Sequence, residues 1–267
     1  MNYNRSDMWG LRMRPVLAIF LLTGCGLTLH TNSQTRKEVT HNTHAWLSIN
    51  SNYRFSERWG VMGDFHYRSN IPGKDPRFYF LRFGATYWIQ ERMTASVGYA
   101  HTWLSPVQTG WQTWTNENRI YQQFLFSTSS GKTLITQRFR NEQRWIQKIE
   151  DDVRTGETRF VNRVRYLLSF NFPLFKRPEL PSLVVADEVL LNFGNEVVYN
   201  TMDQNRIFIG IKQNLNPHLS FDFGYMNVYQ QRRSGYQYDM NHTIRLFFYY
   251  TGGWKGDNRM RIPEHHE

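Results

Sequence analysis

The segment Gln137-Arg138-Phe139-Arg140-Asn141-Glu142-Gln143-Arg144 sets four ionisable side chains, Arg138, Arg140, Glu142 and Arg144, at every second position. A period of two puts them on one face of a β-strand. Arg163 and Arg165 repeat that spacing, and Arg119, Glu188, Arg206 and Arg245 take the same side of their own alternating segments. Two kinds of chemistry are open to such a ladder. Guanidinium groups can grip the carboxylates of Glu142 and Glu188 bidentately and build a packed network. Where guanidinium outnumbers carboxylate, the spare groups can act as transient ligands for small anions in a pore. The packed network is the preferred reading, and the arginine excess keeps the pore in view.

Other chemistry finds less support. His66, His101 and His242 are the histidines within alternating segments, and the phase of His101 and His242 puts them on the apolar side near segment ends. No G-x-S-x-G elbow occurs, and no serine stands beside a histidine with a supporting carboxylate. His265 and His266 have no metal-ligand spacing with other residues, and no phosphate loop or dinucleotide fingerprint is present. The expectation is therefore no enzyme activity, no cofactor and no metal.

The elements that carry the ladder alternate throughout. Tyr79, Leu81, Phe83, Ala85, Tyr87 and Ile89 share one face, opposite Arg82, Gly84 and Thr86. Leu219, Phe221, Phe223 and Tyr225 oppose Ser220, Asp222 and Gly224. Similar segments recur from residue 44 to residue 250, at about 9–13 residues each, close to the ~9–11 needed by a tilted strand that crosses a bilayer. Eleven segments can be counted. Bacterial single-chain barrels have even strand numbers, so twelve is expected if 34–43 adds a strand, or ten if 45–55 does not span.

Links alternate as well. Short ones at 56–57, 90–91, 129–132 and 214–217, and a Pro-rich one at 173–182, are interleaved with longer polar ones at 69–77, 104–117, 147–158, 194–203 and 230–241. Tight turns at one end and long loops at the other mark an outer-membrane barrel. Tyr67, Trp88, Trp103, Trp145, Phe172, Tyr225 and Tyr250 fall near segment ends, where interfacial girdles would lie. A lipid-facing arginine at mid-membrane costs about 2–4 kcal/mol, so the ladder must face the lumen.

Composition bounds the setting. The chain has 267 residues, a net charge of +10, 16% aromatic residues and a single cysteine. One cysteine excludes an intramolecular disulfide framework and a cysteine-based zinc module. Mean hydropathy is −0.61 and no second long apolar run occurs, which excludes a multi-helix membrane protein. Residues 1–33 read as a secretory signal, with Arg5, Arg12 and Arg14 ahead of an apolar run. Its removal leaves a net charge of +8. Leu22-Thr23-Gly24-Cys25 also has the look of a lipobox, which would make Cys25 a lipidation site; its loss with the signal is the preferred reading. Export argues against a nucleic-acid partner. The domain plan is then a signal at 1–33, an N-terminal segment at 34–43, a barrel at 44–250 and a polar tail at 251–267.

The stretch from Trp46 to Tyr250 resembles a family of bacterial outer-membrane proteins known only as domain of unknown function 2490. Trp46-Leu47-Ser48-Ile49, Leu81 to Tyr87, Gln137 to Arg144, Asp187 to Phe193 and Asp203-Gln204-Asn205-Arg206 carry the resemblance. It implies a β-barrel in the outer membrane, with no established activity and no assigned catalytic residues. The polar tail after Tyr250 departs from the aromatic C-terminus on which many such barrels end.

The expectation is thus an all-β, closed, antiparallel, up-and-down transmembrane β-barrel of about twelve strands in the bacterial outer membrane. Its partners would be outer-membrane lipid and small anions. It would be structural or a narrow, porin-like channel lined by arginine. The alternatives are an outer-membrane lipase or acyltransferase, and a periplasmic β-sandwich binding protein.

Overall fold

The computed structural model describes residues 36–71, 74–106, 108–177 and 180–253. The signal segment 1–33, Cys25, His265, His266 and the tail from residue 254 lie outside the described residues. The described part is eleven strands and no helix: β1 (Glu38–Arg54), β2 (Trp59–Ile71), β3 (Lys74–Gln90), β4 (Met93–Leu104), β5 (Thr115–Ser130), β6 (Thr133–Glu150), β7 (Val153–Pro173), β8 (Ser182–Phe193), β9 (Met202–Asn214), β10 (Leu219–Gln231) and β11 (Gln237–Gly253).

Each strand pairs antiparallel with the next, and β11 closes onto β1 in parallel register from Glu38↔Gln237 to Arg54↔Gly253. The expected count of twelve is therefore corrected to eleven, and the all-antiparallel sheet to a mixed one. The reason lies at the N-terminal edge. Residues 38–43 pair with the start of β11, so they lengthen β1 instead of forming a strand of their own. An odd number of alternating strands brings the last one back in the direction of the first, and only a parallel seam can then close the ring.

The strands are also longer than the hydropathy pattern suggests, at 12 to 21 residues. Two of the expected long loops, 69–77 and 147–158, are hairpin extensions. β2 and β3 are separated only by positions 72–73, and β6 and β7 only by Asp151 and Asp152, both with positive φ. These extensions are polar on both faces, so alternation cannot reveal them, yet their backbones still pair. The links 105–114 and 194–201 are open loops at that same end.

Side chains alternate across the wall as the sequence predicts. Leu81, Phe83 and Ile209 point outward, at 46%, 57% and 50% exposure, and every strand from β1 to β11 carries an exposed large apolar side chain on its outer face. Outward aromatics gather at both ends. Tyr67 and Tyr79 pair at 5.5 Å and Trp145 and Phe160 at 5.4 Å toward the long-loop end, and Trp59 and Tyr87 at 4.9 Å toward the short-turn end. The eight residue steps from Tyr79 to Tyr87 span about 26 Å along the strand at ~3.3 Å per residue, roughly 20 Å along the axis at the usual tilt of ~40°. Trp88 does not join the girdle. It is buried inside, beneath Arg54, whose guanidinium carbon lies 5.0 Å from the ring centre.

The interior is a mixed core. Trp46, Val184, Phe208, Met226, Val228, Phe247 and Tyr249 form an apolar cluster on the side of β1 and β8–β11, and Phe78, Phe80 and Ala100 form a second. Side chains just fill an eight-stranded barrel. Eleven strands leave a wider lumen, and long arginine and aromatic side chains occupy it.

Candidate functional site

The wall from β5 to β9 carries the charged ladder inward. Three acidic side chains organise it. Glu142 on β6 accepts from Arg163 Nε at 2.9 Å and Nη2 at 2.5 Å, and from Arg165 Nη1 at 2.9 Å. Arg119 and Arg140 lie 3.8 Å from the same carboxylate. Glu188 on β8 accepts a two-pronged grip from Arg165, both contacts at 2.8 Å, together with Arg138 at 2.6 Å and Arg206 at 3.3 Å. Glu117 on β5 receives Arg119 Nε at 2.6 Å and both Nε and Nη2 of Arg144 at 2.5 and 3.0 Å. All of these side chains are buried except Arg144, which is partly buried.

β-Register builds this arrangement. Arg119 stands opposite Arg144, Glu142 opposite Arg163, and Glu188 opposite Arg206. Directly opposed side chains on one face lie about 4.5–5.5 Å apart at Cβ, within easy reach of a guanidinium. Each carboxylate is ringed by at least two arginines, which satisfies lone pairs that would be costly to bury alone.

The structure thus brings Arg119, Arg138, Arg140, Glu142, Arg144, Arg163, Arg165, Glu188 and Arg206 into one network. Arg245 stands apart. It grips Asp222 through Nε at 3.1 Å and Nη2 at 2.8 Å and lies between the rings of Phe208 and Phe247, at 4.1 and 4.2 Å. Sequence reasoning misses Glu117 and Asp203, because both fall at the edges of segments read as loops. Asp203 accepts from Arg163 at 3.1 Å. It also leaves out the buried Arg82–Asp64 pair, although Arg82 is on the inward phase of β3.

The two halves of the lumen differ. Toward the short turns, Asn52, Arg54, Trp88, Thr94, Ser127, Thr136, Lys212 and Ser220 all face inward and are buried, so side chains fill this half. Toward the long loops a cavity of 1290 Å³ opens, with the ladder in its wall and floor. Thirteen arginine and lysine side chains line it, against five aspartates and glutamates. Of the sequence-predicted histidines, His101 and His242 lie on the outer face. His101 Nδ1 is 2.8 Å from Asn118 Oδ1, and His242 Nδ1 is 2.6 Å from the Tyr225 hydroxyl. His66 is buried inside, edge-on to Phe80 and Phe247.

Fold and site together define a closed mixed β-barrel that encloses a charged network beside apolar clusters and carries exposed apolar side chains on its outer face. The chain belongs to the family described as "Protein of unknown function (DUF2490)", matched over residues 43–264. No curated protein matches the chain.

Proposed function

We propose that the protein is a bacterial outer-membrane barrel whose lumen is sealed in its short-turn half, with a structural role and no enzymatic reaction. The carrying observation is the apolar belt on all eleven strands around a buried charge network. A soluble monomer rarely exposes a contiguous apolar patch beyond a few hundred Å², whereas a bilayer takes up such a belt. Closure pairs every strand edge, as hydrocarbon requires. The long loops would face outward from the cell. The engagement of His101 and His242 with an amide and a phenol fits interfacial anchoring better than lipid hydrolysis or acyl transfer.

A second reading, a narrow anion channel, draws on the excess of arginine over carboxylate at the open end. Planar-bilayer recording separates the two. A sealed barrel inserts without steady conductance in potassium chloride. A stable anion-selective current would overturn the sealed reading in favour of the channel.

A further inference from the structure

We propose that the cationic mouth of the barrel binds an acidic saccharide: a polyhydroxyl body bearing two or more carboxylate or phosphate groups. The proposal rests on the sealed reading above, under which the cavity is a cup and not a passage.

Charge is the first observation. If the buried Asp64, Glu142 and Glu188 that pair with lining arginines are added to the acidic side chains of the cavity, its positive groups still exceed its negative ones by five. Arg159 on β7, Arg144 on β6 and Arg233 in the β10–β11 link all line this cavity. Arg144 is clamped onto Glu117. Arg159 and Arg233 have no hydrogen bond or ion pair to a described residue, and Arg159 is partly buried. Positive groups in excess around one cavity repel, and a multivalent anion among them removes the repulsion while using fork-shaped donors suited to carboxylate and phosphate.

The neutral lining is the second observation. Ten asparagine and glutamine side chains face the cavity. A carboxamide both donates and accepts, which matches a hydroxyl and is wasted on a bare anion. Trp111, partly exposed in the same lining, adds an aromatic face on which sugar C–H groups can rest. The volume of 1290 Å³ exceeds the roughly 300–1,000 Å³ of ordinary small-molecule pockets and suits an oligosaccharide.

The test is titration calorimetry on the full-length barrel in detergent, with trigalacturonate as probe and neutral maltotriose as control. Trigalacturonate should bind at least about tenfold more tightly than maltotriose, and the R159A/R233A double variant should lose about tenfold or more in affinity for it. The variant should keep the wild-type unfolding midpoint, since neither side chain holds another in place, and R159K/R233K should recover part of the affinity. Equal binding of the two saccharides, or wild-type affinity in R159A/R233A, would overturn the proposal. Repeating the titration in nanodiscs with and without a phosphorylated glycolipid identifies the source. Lost binding only in the glycolipid discs assigns a membrane headgroup, unchanged binding assigns a free saccharide, and both uphold the site. None of these readings depends on conductance, so failure here is distinct from failure of the sealed barrel.

Discussion

Glu142 and Arg163 stand directly opposite each other in the β6–β7 ladder, and Arg163 brings both Nε and Nη2, at 2.9 and 2.5 Å, onto one carboxylate oxygen. The other oxygen of Glu142 receives Arg165. A single acidic side chain thus ties two arginines of β7 to β6 inside the barrel.

Removal of that carboxylate charge leaves Arg163 with Asp203 and Arg165 with Glu188 as their remaining acidic partners in a buried site. Breaking one side of a buried pair costs about 3–5 kcal/mol, far more than an exposed pair would. Glu142→Gln is therefore expected to lower the unfolding free energy of the detergent-folded barrel, read from urea titration, by an amount in that range. Lys148→Ala, which removes the exposed Lys148–Glu157 pair at 3.2 Å, should shift it by less than about 1 kcal/mol.

A second expectation concerns Gly84 and Gly98, which are paired across β3 and β4 on the inward face. A Cβ at either one would meet the Tyr121 hydroxyl and the backbone of the partner strand. Tyr121 is itself buried and lies over this bare patch, filling the space two side chains would have taken. Overpacking costs typically 1–3 kcal/mol, so Gly98→Val should destabilise by about that much. The double variant Gly98→Val/Tyr121→Ala should recover part of the loss, which a denaturant series would show.

Alternation in the sequence reveals most of this wall. It assigns Leu81, Phe83 and Phe221 outward and Arg138, Arg140 and Arg163 inward, because a period of two survives wherever one face meets apolar surroundings. It fails where both faces meet water. The hairpin extensions at 69–77 and 147–158 are legible only as loops, and Glu117 and Asp203 are lost with the loop edges that hold them. Alternation also counts eleven segments, and the expectation of twelve comes from the even-number rule for bacterial barrels, which the parallel β1–β11 seam departs from. Arg159 on β7 and Arg233 in the β10–β11 link line one cavity, which alternation along either segment cannot reveal.

A third expectation concerns the turn between β6 and β7. Asp152 accepts from the backbone amide of Gln112 at 3.0 Å and from that of Thr113 at 2.7 Å, pinning the β4–β5 loop against the hairpin extension. The amide of Gln112, then that of Thr113, holds the Asp152 carboxyl below the ordinary aspartate range. A depressed native pKa means that the contact contributes fully above the unfolded value near 4 and fades as the pH falls through the native one. Hydrogen-exchange protection at Gln112 and Thr113 should be flat from about pH 7 to 5 and drop below about pH 4. Asp152→Asn, which keeps an acceptor, should show weaker protection with no such pH dependence, and Asp152→Ala should lose it.

The central claim is that the apolar face of the barrel meets lipid. Single cysteines at Phe83, Ile209 and the loop position Val198, in a chain with Cys25 replaced by serine, test it by labelling with a membrane-impermeant maleimide in intact outer-membrane vesicles. The account predicts rapid labelling at position 198 and none at 83 or 209 until the barrel is unfolded in denaturant. Labelling at 83 and 209 as fast as at 198 would contradict it, because an outward face open to bulk water is not a lipid-facing one.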